Sequence, residues 1–64
     1  MSRRSTRITR KLKIGNVTLI EKGIYVGGEL EDTHCYAQFS DGHKVGGYIS
    51  IEDAIHHKGE WSDD

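Results

Sequence analysis

Cys35 and the four histidines His34, His43, His56 and His57 are the side chains of this chain that invite a thiolate or zinc reading. A thiolate nucleophile needs a base on its own side of the backbone, and neighbouring strand residues point to opposite faces, so His34 is badly placed to activate Cys35. His43 is about four residues along the strand in the hairpin register argued below, roughly 13 Å away. Free cysteine is among the most buried residue types, and Cys35 reads as a small hydrophobe. Zinc fares no better. His56 and His57 are consecutive on a predicted helix, about 100° apart, and neither H-x-x-x-H nor C-x-x-C occurs. Imidazoles near the last carbonyls of a helix account for both residues without a metal. Gly27-Gly28 and Gly46-Gly47 match neither phosphate-loop pattern, and bulges or close backbone contacts suit them better. With no carboxylate pair at a plausible site, no nucleophile with an orienter and no cofactor motif, the sequence reads as non-enzymatic, with no metal and no cofactor.

Binding chemistry is richer. Residues 1–13 hold Arg3, Arg4, Arg7, Arg10, Lys11 and Lys13 and no acid, a charge of +6, whereas the other residues hold three bases and ten acids, a charge of -7. A basic arm on an acidic body implies two kinds of partner. The body suggests a small regulator or inhibitor that docks on another protein, with Glu29, Glu31 and Asp32 as its acidic surface and Tyr36, Tyr48 and Trp61 as anchors. That size and lack of catalytic features fit a phage or mobile-element protein blocking host nucleic-acid machinery. The alternative is a nucleic-acid-binding module, with Arg3, Arg4, Arg7, Arg10, Lys11, Lys13 and Lys44 on phosphates and a tyrosine-bearing sheet face, Tyr36 with Tyr48, for stacking. Trp61 has a structural reading as well, as a lid folded over the helix.

These residues have to be positioned by short elements. Ser50-Ile51-Glu52-Asp53 is a capping box with Asp in the place of Glu, and it predicts a helix of about two turns that ends at Gly59 and buries Ile51, Ala54 and Ile55. Asp41-Gly42 centres a hairpin. A three-residue loop, Ser40-Asp41-Gly42 with Gly42 left-handed, places Cys35, Ala37, Phe39, Val45 and Ile49 on one face and Tyr36, Gln38, Lys44 and Tyr48 on the other. Val17 to Ile20 and Ile24 to Val26 read as two meander strands, and residues 29–33 as the longest loop. Leu12 and Ile14 alternate with Lys11 and Lys13, so the end of the arm pairs as an edge strand, while residues 1–7 are expected to be disordered.

The fold class that results is α+β and mostly β: a small twisted antiparallel sheet of three to five strands, one short C-terminal helix and a flexible basic arm. The division is residues 1–10 for the arm and 11–64 for a single domain. At 64 residues, with 34% hydrophobic and 30% charged side chains and a mean hydropathy of -0.64, the core is thin and encloses no large substrate pocket. A homodimer would enlarge it. No apolar run reaches the length of a membrane span, and one cysteine allows no internal disulfide, so the expected location is cytoplasmic.

Overall fold

The computed structural model of the chain describes residues 3–61. Four antiparallel strands follow one another in sequence order across an open sheet: β1 Arg4–Ile14, β2 Val17–Val26, β3 Glu29–Phe39 and β4 Lys44–Tyr48. Two short helices, α1 Ile51–His56 and the single turn α2 Lys58–Trp61, complete the α+β fold. The strongest strand former is β2, with Val17, Thr18, Ile20, Ile24, Tyr25 and Val26, and it runs through Gly23 without a break. Its backbone groups need partners along both edges, and this extends its neighbours. On one side Arg4↔Val26 through Ile14↔Val17 pair with β1. On the other, Val26↔Glu29 through Val17↔Phe39 pair with β3.

Two expectations give way to this pairing. The basic segment, expected to be a flexible arm to residue 10 and disordered to residue 7, is strand β1 from Arg4 onward. Thr6, Ile8 and Thr9 supply β propensity there, and the edge of β2 supplies the hydrogen bonds. Residues 29–33, expected as a loop, open β3 directly after the two-residue turn Gly27-Gly28. Residues 1–2 of the arm and 62–64 of the acidic tail lie outside the described residues.

The Asp41-Gly42 hairpin takes the three-residue loop: Phe39 N–H donates to His43 O at 2.7 Å, Gly42 N–H donates to Phe39 O at 3.0 Å, and Gly42 has φ 95°. Ala37↔Val45 and Gln38↔Lys44 follow in the expected register. Beyond them the register slips, and Cys35 pairs with Tyr48. The slip falls at Gly46-Gly47, where Gly47 has φ 101°. One extra residue reverses every later side chain, so Tyr48 is buried and Ile49 is 64% exposed, the opposite of the expectation.

Ser50 caps α1, its Oγ accepting from Asp53 N–H at 3.2 Å, and the Asp53 carboxylate accepts from Ile49 N–H at 3.1 Å. The helix stops at His56, short of Gly59, and Gly59 lies inside α2. That second turn brings Trp61 back over α1, where its indole N–H donates to Ala54 O at 2.8 Å. The core is one layer between sheet and helices: Val17, Leu19, Cys35, Ala37, Tyr48, Ile51, Ala54 and Trp61. Ile55 is left at the surface, 43% exposed.

Candidate nucleic-acid interface

Strand alternation sorts the sheet into two faces. Val17, Leu19 and Glu21 of β2 point to the helices with Cys35 and Ala37 of β3. Thr18, Ile20 and Lys22 point the other way, toward the face that among the described residues carries no helix, and cross-strand partners follow them. Lys11 is opposite Ile20, Lys13 opposite Thr18, Tyr36 opposite Ile20, Gln38 opposite Thr18, and Lys44 opposite Gln38. Lys11, Lys13, Lys22 and Lys44 thus share one face with Tyr36, and among the described residues none of the four forms an ion pair.

Tyr36 is the centre of this face. Lys22 Nζ stands 5.1 Å and Lys44 Nζ 5.6 Å from its ring centroid. Such exposed cation–π contacts are worth about 0.5–1 kcal/mol each, less than the roughly 1–3 kcal/mol of a base stacked on an aromatic ring, so a base is able to displace them. The lysines hold the ring in an electropositive setting. Below them Ile20 is 6% exposed, a small apolar floor on an otherwise polar face. Toward the first hairpin this face becomes a shallow open groove of about 440 Å³, bordered by Lys11, Lys13, Asn16, Thr18, Gln38 and Ser40. Its donors are ammonium, amide and hydroxyl groups, a set suited to phosphate oxygens and base edges.

The residues predicted from sequence are divided by the fold. Lys11, Lys13, Lys44 and Tyr36 meet as described, and Arg4 shares their face at the far end of β1, opposite Val26. Arg7 lies on the other face, 5.6 Å from the ring centroid of Tyr25. Arg10 is also on that face and is held between two carboxylates. Its guanidinium makes two hydrogen bonds to Glu21, at 2.6 and 3.0 Å, and two to Glu52, both at 2.7 Å. Arg3 precedes the strand, and its carbonyl accepts from Gly27 N–H.

The protein-docking set is dispersed. Glu29, Glu31 and Asp32 are exposed at the start of β3. Tyr48 is 4% exposed beneath α1 with its ring stacked on His57, and its hydroxyl is pushed toward higher pKa by burial; Trp61 is 3% exposed and forms the lid. Tyr48 therefore leaves the tyrosine-bearing face predicted for it, carried inward by the Gly46-Gly47 bulge.

Cys35 is 2% exposed, and burial raises its thiol pKa. His34 projects from the opposite face and lies 3.7 Å from Asp32. Among the described residues no three His, Cys, Asp or Glu side chains converge as metal ligands, and no helix is long and apolar enough to cross a membrane.

Two features escaped the sequence reading. Lys22 belongs to the basic face, and its two-residue spacing from Ile20 was the available signal. The Glu21–Arg10–Glu52 cluster had a similar one, since Glu21 continues the parity of Val17 and Leu19 into the core. Compared with family models, with curated proteins and with solved structures, the chain matches none.

Proposed function

We propose that this protein binds single-stranded nucleic acid on its open sheet face, with Tyr36 as the stacking platform and Lys11, Lys13, Lys22 and Lys44 as phosphate contacts. The observation that carries the reading is one aromatic ring flanked by Lys22 and Lys44, with Lys11 and Lys13 on the same face, which among the described residues no helix covers. A single strand offers unstacked bases to the ring, whereas a duplex would present only its backbone to the lysines. By the same register Asp32, opposite Ile24, and Glu29, opposite Val26, lie on this face as well, beyond His34 toward the end of the sheet away from the lysine-bordered groove. The docking reading built on an acidic surface keeps Glu29, Glu31, Asp32 and Tyr36 and loses Tyr48 and Trp61 to the core.

The test is fluorescence anisotropy with labelled mixed-sequence DNA and RNA single strands and a duplex control at 50 and 200 mM salt. Four phosphate contacts on a single strand give a log–log salt slope near about -3, hence a loss of roughly fiftyfold across that range. Tyr36→Ala is expected to weaken binding by about tenfold and leave the slope unchanged. Lys22→Gln and Lys44→Gln each reduce the slope by about 0.7. Reversal of Glu29, Glu31 and Asp32 to lysine leaves specific binding intact or stronger. Absence of binding at 50 mM, or a Tyr36→Ala protein that binds as the parent does, would remove the proposal.

A further inference from the structure

The outer edge of β1 has no strand beside it among the described residues, and the strand is eleven residues long and exposed along almost all of its length. Natural sheets usually blunt such an edge with charge, and β1 carries Arg4, Arg7, Arg10, Lys11 and Lys13 with no acid. Charge of one sign excludes like partners and selects opposite ones. Beside the C-terminal half of β1, where α1 passes, an open groove of about 410 Å³ is lined by Leu12, Ile51 and Ile55 with Arg10, Lys11 and Glu52 at its sides. Leu12 is 38% and Ile55 43% exposed in it. Two hydrogen bonds from Arg10 to Glu52 tie together the charged residues at its sides.

We infer that the β1 edge receives an acidic extended segment of another protein, which adds to the sheet as a fifth strand. Its backbone pairs with β1, its carboxylates meet Arg4, Lys11 and Lys13 on the open face, and one apolar side chain on its other face enters the Leu12–Ile55 groove. Strand addition of this type draws affinity from main-chain hydrogen bonds and specificity from alternate side-chain pockets. A second copy of β1 is a poor occupant, because antiparallel pairing would set arginines and lysines against one another. Nucleic acid suits the edge less well than the open face, since a phosphodiester backbone offers acceptors but no donors to a strand edge that presents both. The inference is separate from the nucleic-acid reading, and each can fail alone.

The experiment uses the full chain and a fluorescein-labelled peptide of about ten residues alternating glutamate and valine, with a control in which every valine is proline. Anisotropy measures affinity, and amide hydrogen exchange locates the peptide. Alternate amides of Arg4–Ile14 should gain protection, while the proline peptide, with equal charge but fewer donors, should bind at least about tenfold more weakly. Ile55→Ala removes groove surface from an exposed position and should weaken the valine peptide by roughly fivefold. Equal affinity for the two peptides would reduce the edge to a charge effect and overturn the inference. So would no binding, protection confined to the lysine face, or edge protection that grows with protein concentration in the absence of peptide.

Discussion

Glu21 is 5% exposed on the covered face of β2, and both its oxygens are occupied. Oε1 accepts from Arg10 Nε and the Thr9 hydroxyl, and Oε2 from Arg10 at 2.6 Å and from Ile51 N–H at the start of α1. A buried carboxylate without those donors would be strongly unfavourable, so the cluster is what allows an acid there and what joins β1, β2 and α1. The Arg10 hydrogen bonds hold the Glu21 pKa down to about 2 against an ordinary 4.5. The folded value lies below the unfolded one, so this stabilisation is complete above about pH 4.5 and is lost as pH falls toward 2. Glu21→Gln keeps the shape and loses the charge. It should cost about 1–2 kcal/mol near neutral pH, a fall in Tm of roughly 4–16 °C in a domain this small. Its melting temperature should also depend less on pH between 4.5 and 2 than the parent's. Thermal unfolding of both proteins across that range checks this, and parallel pH curves would assign the acid sensitivity to other carboxylates.

At the level of elements, one bulge decides which aromatic residues face outward. Gly47 has φ 101°, and a Cβ built on it would meet nothing within 4 Å, so any cost of Gly47→Ala is backbone strain alone. That cost is about 1–3 kcal/mol. Gly46→Ala is the control, since its Cβ would make an ordinary 3.8 Å contact with Tyr36 and its φ is not positive. Urea denaturation should give a lower midpoint for Gly47→Ala and little change for Gly46→Ala; equal midpoints would mean that the bulge does not depend on glycine. The same bulge marks the limit of what the chain reveals locally. The Ser40-Asp41-Gly42 loop and the Ser50 cap were legible because turn and cap preferences act within a few residues. A glycine pair inside a strand signals a bulge without saying whether the register slips, and the fates of Tyr48 and Ile49 turned on that slip. β1 was hidden for another reason. Arg4–Arg10 has little apolar alternation, and it is a strand because β2 has an edge to fill, a non-local cause. Lys11, Lys13, Lys44 and Tyr36 were named from sequence as candidate binding groups, while their placement on one face with Lys22 required the register of all four strands.

For the whole molecule the charge asymmetry of the sequence becomes an asymmetry of surfaces. The chain measures 45 × 22 × 15 Å, with the helices packed on one side of the sheet, where Glu52, Asp53 and Glu60 stand, and the lysines gathered on the other. The thin core makes self-association a natural expectation, but like charges along β1 oppose pairing of two copies at that edge. Salt separates the possible causes. Pairing of two β1 edges opposes like charges over distances comparable to the Debye length of about 10 Å at 0.1 M, and that repulsion is largely removed at 1 M, where the length is about 3 Å. Docking of a basic strand on the acidic helix side of a second copy would respond in the reverse sense. With β1 as described, sedimentation equilibrium should return the 7.2 kDa monomer at 0.1 M salt, and any dimer should gain population as salt rises to 1 M. A dimer present at 0.1 M that dissociates on adding salt would place the attraction between lysine and acidic surfaces. The open face would then be an interface between copies, in competition with any nucleic acid. The sign of the salt response therefore tests the assignment of surfaces independently of any ligand, because strand binding weakens with salt while pairing of like-charged edges strengthens.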